Sequence, residues 1–142
     1  MEICMSSLYR FGVSLEKDLI EQFDEHIKDS SYTNRSEAIR DLIRDELIRK
    51  QWKCNNIVAG AITMVYDHHK HDLLNKIVDL QHDHQEVIIA TQHVHLDHHN
   101  CLEILAVRGK AREVTDLSNK LKAVRGILHV SLNMSATGKH IN

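Results

Sequence analysis

Residues 8–15 read as a strand with nothing in the next forty or so residues to pair with, which constrains this chain more than any other feature. Phe11, Val13 and Leu15 fall on one face and Arg10, Gly12 and Ser14 on the other, the period of a half-buried strand. Leu19, Ile20, Phe23 and Ile27 then recur at helical spacing, predicting a helix over roughly 16–29 that Asp29-Ser30-Ser31 breaks. Asn34 reads as an N-cap with Glu37 answering it three residues on, a capping-box arrangement. From there Ala38, Ile39, Leu42, Ile43 and Leu47 make one apolar stripe, predicting a second helix to about residue 52. A solitary strand leaves its backbone groups unpaired, and about fifty residues bury little core. Two copies that pair their strands antiparallel and interlock their helices remove both difficulties, so the strand-helix-helix unit predicts a dimer.

After the polar connection 53–56 the pattern changes. Residues 57–66 read as a strand, 72–81 as a helix, 86–96 and 101–108 as two strands, 111–124 as a helix with Gly126 near its end, and 127–132 as a closing strand. The order βαββαβ is the split ferredoxin-like unit. The expected fold is therefore α+β: a dimeric strand-helix-helix domain over 1–53, its strands paired into an antiparallel ribbon, and a ferredoxin-like domain over 54–142.

The chemistry concentrates between the third and fourth of these strands, in His93-Val94-His95-Leu96-Asp97-His98-His99-Asn100-Cys101. Residues i and i+2 of a strand share a face, so His93 and His95 point the same way. If the return strand sets Cys101 opposite His95, the thiol joins both imidazoles, and Glu103 falls beside His93 as an acceptor for a ring N–H. Two imidazoles and a thiolate on one face read as a transition-metal site lacking one ligand; Ni(II), Cu(II) and Zn(II) all suit such donors. His82 and His84 are the upstream candidates for the fourth. An extended strand over 85–96 sets His82 roughly 35 Å from His93 at about 3.3 Å per residue, so the ligand is expected from an antiparallel neighbour. A His-x-His pair alone is commonly a polar strand face; Cys101 at hairpin register is what raises it above that. His68, His69 and His71 read as solvated surface with at most a weak metal site, His98 and His99 as solvent-facing, and Cys4 and Cys54 as inert.

Composition narrows the rest. Nine of the twelve histidines lie between His68 and His99, which localises the metal question. Three cysteines do not make a disulfide framework, and in a reducing compartment Cys101 stays a thiol. A formal net charge of −2 argues against a generally basic nucleic-acid binder but leaves room for a basic face on one domain. No apolar run approaches the roughly 18–20 residues of a membrane span, and the start lacks a signal-peptide layout, so a cytoplasmic location without membrane association is expected. A two-stranded ribbon fits the major groove of double-stranded DNA, where Arg10, Gly12 and Ser14 would face base edges. The start of the second helix, Asn34-Arg35-Ser36, offers free N–H groups to a phosphate, with Arg40 and Arg44 adding charge.

With both halves in view, the chain resembles the nickel-responsive transcriptional regulators, the NikR family, over nearly its whole length. Thr33-Asn34-Arg35-Ser36-Glu37-Ala38-Ile39-Arg40-Asp41-Leu42 looks like the family's second DNA-binding helix. Gln81-His82, then Thr91-Gln92-His93-Val94-His95, then His98-His99-Asn100-Cys101-Leu102-Glu103 look like its metal motif. The resemblance implies a homotetramer, a dimer of dimers with ACT-like metal-binding domains. One square-planar Ni(II) per subunit is then held by His93, His95 and Cys101 of one chain and His82 of another, with Gln81 and Glu103 around the ligands. It further implies a second cation at Glu37 and Asp41, DNA-backbone contacts from Lys70 and Arg125, and a palindromic operator. Gly12 stands where some relatives carry a hydroxyl residue, and His71 where some carry a basic one. The expected function is a nickel-dependent DNA-binding repressor of nickel uptake. A copper or zinc sensor on the same scaffold and an ACT-type regulator answering an amino acid are the alternatives. An enzyme is not expected, because four protein ligands close the site and no nucleophile–base pair stands out.

Overall fold

The computed structural model describes residues 8–139 and 141; Cys4 lies outside the described residues. The chain forms two compact units, which divide between Glu46 and Leu47, inside the second helix and ahead of the polar connection.

The first unit contains α1 (Lys17–Asp29) and most of α2 (Arg35–Lys53). α1 ends where Tyr32 N–H donates to the Ile27 carbonyl and Ser31 N–H to that of Lys28, with Ser31 left-handed at φ 58°. This closing turn is usually built with glycine. Asn34 caps α2 as expected, its Oδ1 accepting from Glu37 N–H at 3.0 Å. The reciprocal half of the box is displaced by one residue: the Glu37 carboxylate takes the backbone N–H and hydroxyl of Thr33 instead. The expected N-terminal strand is not formed within one chain. Residues 8–16 carry no regular structure, since nothing in their own chain is there to complete a ladder. Only Ile27 and Ala38 are buried here among the described residues, while Phe11, Val13, Leu42 and Ile43 are each half or more exposed. An apolar cleft of about 720 Å³ opens between Phe11, Val13, Leu15, Leu19, Phe23 and Leu42. By itself this unit has half a core.

The second unit contains β1 (Ile57–Asp67), α3 (His71–Asp83), β2 (Ile88–His95), β3 (Asn100–Lys110), α4 (Ala111–Ala123) and β4 (Ile127–Ser135). The four strands make one antiparallel sheet in the order β2-β3-β1-β4, the ferredoxin-like topology. Strict alternation along the two central strands sends Val58, Ile62, Met64 and Tyr66 of β1, and Cys101, Glu103, Leu105 and Val107 of β3, to one face. Leu73 and Ile77 of α3 and Val114, Leu117 and Leu121 of α4 close that face. The last turn of α2 groups with this unit because Trp52 is buried in it, its indole N–H donating to the Ser135 carbonyl at 2.9 Å. Gly60 lets β1 and β4 pass closely; a Cβ there would meet the Asn133 carbonyl at 2.5 Å. No helix among the described residues is long and apolar enough to cross a membrane.

Candidate metal centre

The β2–β3 register sets His95 opposite Cys101 and His93 opposite Glu103, as the loop length predicts. All four side chains thus share the helix-covered face, at the open end of the sheet. Cys101 is buried and its Sγ lies 3.9 Å from His93 Nδ1. Two atoms bound to one ion at about 2.0 Å and 2.3 Å can stand no more than about 4.3 Å apart, so this pair fits a shared metal. The His95 ring, opposite the thiol in register, packs edge-on against that of His68, centroids 5.1 Å apart. Among the described residues its ring nitrogens do not gather with the Cys101 sulfur and the His93 ring into one donor group.

Beneath the imidazoles lies a carboxyl group that is 1% exposed. Glu103 Oε2 accepts from the Tyr66 hydroxyl at 2.6 Å, and Oε1 accepts from Gln81 Nε2 at 2.6 Å. Oε1 is also 3.5 Å from His93 Nε2. One ring nitrogen of His93 therefore faces the thiol and the other faces Glu103, the arrangement that fixes which nitrogen is left free to ligate. Burial, and then the hydrogen bond to Glu103, push the Tyr66 phenol far above its ordinary range, so it stays a donor. Tyr66 was not among the residues expected here. It arrives through β1, where it pairs with Cys101.

The two upstream histidines are separated by their surroundings. His84 is buried, with Nδ1 2.9 Å from the Leu80 carbonyl and Nε2 3.3 Å from both Asp116 Oδ2 and Lys120 Nζ. His82 is exposed in the last turn of α3. The expected 35 Å separation does not hold. β2 begins only at Ile88, so its run to His93 is roughly 17 Å at 3.3 Å per residue. Gln81, the neighbour of His82, already reaches Glu103. Strand length therefore does not bar His82 from its own hairpin. The helical step of about 100° per residue does more, since Gln81 faces the sheet and His82 is turned outward. Among the described residues, His82 joins no cluster with His93, His95 and Cys101.

The other expected site residues divide by unit. In the first, Arg10, Gly12, Ser14, Asn34 and Arg40 are all exposed, and a Cβ on Gly12 would meet nothing within 4 Å. Arg35 is not free for a phosphate: Nε and Nη2 grip the two Asp24 oxygens at 2.7 and 2.6 Å. Glu37 and Asp41 are engaged separately, Glu37 with Thr33 and Asp41 with Arg44 at 3.8 Å. The Thr33 bonds hold the Glu37 carboxyl below its ordinary value. In the second unit Lys70 and Arg125 line one cleft of about 490 Å³ with His71 and Lys76. Lys76 is a basic group that the motif reading did not single out.

Comparison with known proteins agrees with this division. Residues 9–50 match the family of ribbon-helix-helix proteins of the copG type, and residues 59–135 match the NikR C-terminal nickel-binding domain. A protein of Chlorobium limicola is 61% identical over 94% of this chain and its own full length. One of Syntrophus aciditrophicus is 60% identical over 95% of this chain and 98% of its own length; both carry the name "putative nickel-responsive regulator". An uncharacterised protein of Thermotoga maritima shares the fold of the second unit, with a TM-score of 0.51 at 16% identity over 56% of this chain and 98% of its own. The chain therefore belongs to the nickel-responsive regulators, a family of DNA-binding transcriptional regulators rather than enzymes, with a ribbon-helix-helix domain followed by a ferredoxin-like nickel-binding domain.

Proposed function

We propose that the protein is a cytoplasmic homotetramer, a dimer of dimers, that represses nickel-uptake genes by binding a palindromic operator when Ni(II) is present. One Ni(II) per chain is held by His93, His95 and Cys101, with His82 of a second copy as the fourth ligand. The observation that carries this reading is the hairpin register, with Cys101 opposite His95 and its sulfur 3.9 Å from His93 Nδ1. Bound there, Ni(II) would supply bonds that tie two chains together. The residues do the rest: Glu103 orients His93, while Tyr66 and Gln81 hold Glu103.

On the DNA side, the segment 8–15 pairs with its copy in a second chain, covering the exposed Phe11, Val13, Leu42 and Ile43. The ribbon so formed presents Arg10, Gly12 and Ser14 to base edges. Asn34 and Arg40 at the start of α2, with Lys70 and Arg125, contact phosphates. Glu37 and Asp41, one helical turn apart, hold a second cation. For nickel to regulate, it must bind the DNA-competent arrangement more tightly than the others. The test uses duplex DNA selected from a random pool by the nickel-loaded protein. Affinity for that duplex should fall at least tenfold when nickel is removed by a chelator. Equal affinity with and without one Ni(II) per chain would refute the mechanism.

A further inference from the structure

The end of β1 and the tip of the β2–β3 hairpin hold a second set of donors that the thiol centre does not use. Sheet register brings them together: Asp67 pairs with Asn100, and His68 N–H donates to the His99 carbonyl at 3.1 Å. Asp97 pins the tip, its Oδ1 accepting from the backbone N–H groups of His99 and Asn100 and its Oδ2 from the Asn100 side chain, each at 2.8 Å. On this frame a carboxylate oxygen of Asp67 and one ring nitrogen each of His69 and His99 lie within 4.8 Å of one another. His69 Nδ1 is 3.4 Å from Asp67 Oδ1, which also accepts the His69 backbone N–H at 3.0 Å. The His98 ring stands 5.3 Å from that of His69, and the His68 ring 4.2 Å from it. The histidines at 68, 69, 98 and 99 are thus a packed group rather than independent solvated side chains.

Two imidazoles and a carboxylate, half-buried to exposed and without sulfur, are a borderline nitrogen–oxygen donor set. They suit Ni(II), Co(II), Zn(II) or Cu(II), with water completing the sphere, and not Mg(II) or Ca(II), which take oxygen ligands. We propose that Asp67, His69 and His99 form a further divalent transition-metal site, complete within a single chain and separate both from the interchain thiolate centre and from the Glu37 and Asp41 pair, whose oxygen-only donors take a hard cation rather than Ni(II). Asp67 and His69 come from the end of β1 and His99 from the hairpin tip, so an ion there ties the two segments together. It requires no second copy.

The test is titration of the full chain with Ni(II), following bound metal by equilibrium dialysis and the thiolate-to-metal absorption in parallel. Wild type should take two ions per chain. His69→Ala/His99→Ala should take one, with the thiolate absorption unchanged. Cys101→Ala should lose that absorption yet keep one ion per chain, which disappears when His69→Ala/His99→Ala is added. Asp67→Asn, the gentler change, should weaken the second ion at least tenfold at unaltered circular dichroism. The proposal is overturned if wild type and His69→Ala/His99→Ala bind the same number of ions, or if the second ion is removed by His98→Ala and not by His69→Ala/His99→Ala. Loss of the thiolate absorption cannot produce either result, so failure here is distinguishable from failure of the thiolate reading.

Discussion

Cys101→Ala should weaken nickel binding at the thiolate centre by more than about 100-fold and abolish nickel-dependent DNA binding, while the chain still folds. Loss of a partner around a metal's ligands typically costs 10–100-fold, and loss of a ligand should exceed that. The thiol is buried, so truncation leaves a small void worth roughly 1 kcal/mol at a site where the neighbours can relax. A thermal melt without metal should move by only a few degrees, whereas the part of the nickel stabilisation that comes from the thiolate centre should vanish. Isothermal titration and melting curves with and without nickel separate the two effects. A variant that bound nickel as tightly as wild type would remove Cys101 from the centre.

Glu103→Ala should have the largest effect on the protein itself. Its carboxyl accepts from Tyr66 and Gln81 in a site that is 1% exposed, so truncation strands two donors and opens a cavity. Unsatisfied buried polar groups cost about 1–3 kcal/mol each, which puts the total at roughly 3 kcal/mol once water partly replaces the lost acceptor. Glu103→Gln keeps the shape and one acceptor and should recover much of that loss. Both variants should weaken nickel 10–100-fold, since His93 Nε2 loses the carboxylate charge now 3.5 Å away. Chemical denaturation and nickel titration of both variants check the pair. Wild-type nickel affinity in Glu103→Ala would mean that this carboxyl group serves the core alone.

Local features of this fold were legible from spacing. The five residues between His95 and Cys101 are enough to imply their pairing, and the same register places Glu103 by His93. Tyr66 was not legible, because its place beside Glu103 depends on β1 pairing with β3 across the whole helical and hairpin insertion between them. The same is true of the Asp67, His69 and His99 group, which exists only because the end of β1 meets the hairpin tip. Choosing His82 over His84 lay beyond spacing, whereas burial separates them: His84 is committed to Leu80, Asp116 and Lys120. The distance argument for an interchain ligand overstated the strand by counting the turn before Ile88 as extended chain. The N-terminal ribbon was legible as a demand rather than a structure, since one chain leaves Phe11, Val13, Leu42 and Ile43 uncovered.

The measurement that bears most directly on an interchain nickel centre is complementation between two defective chains. His82→Ala retains the His93–His95–Cys101 hairpin and lacks the fourth ligand, while Cys101→Ala retains His82 and lacks the thiol. Each homo-oligomer alone should show no thiolate-to-nickel absorption of the four-ligand centre. After unfolding, mixing and refolding together, a complete site should appear wherever His82 of the second variant meets the hairpin of the first, restoring the absorption to a fraction of the wild-type intensity. A mixture that forms hetero-oligomers yet restores none would contradict ligation across chains.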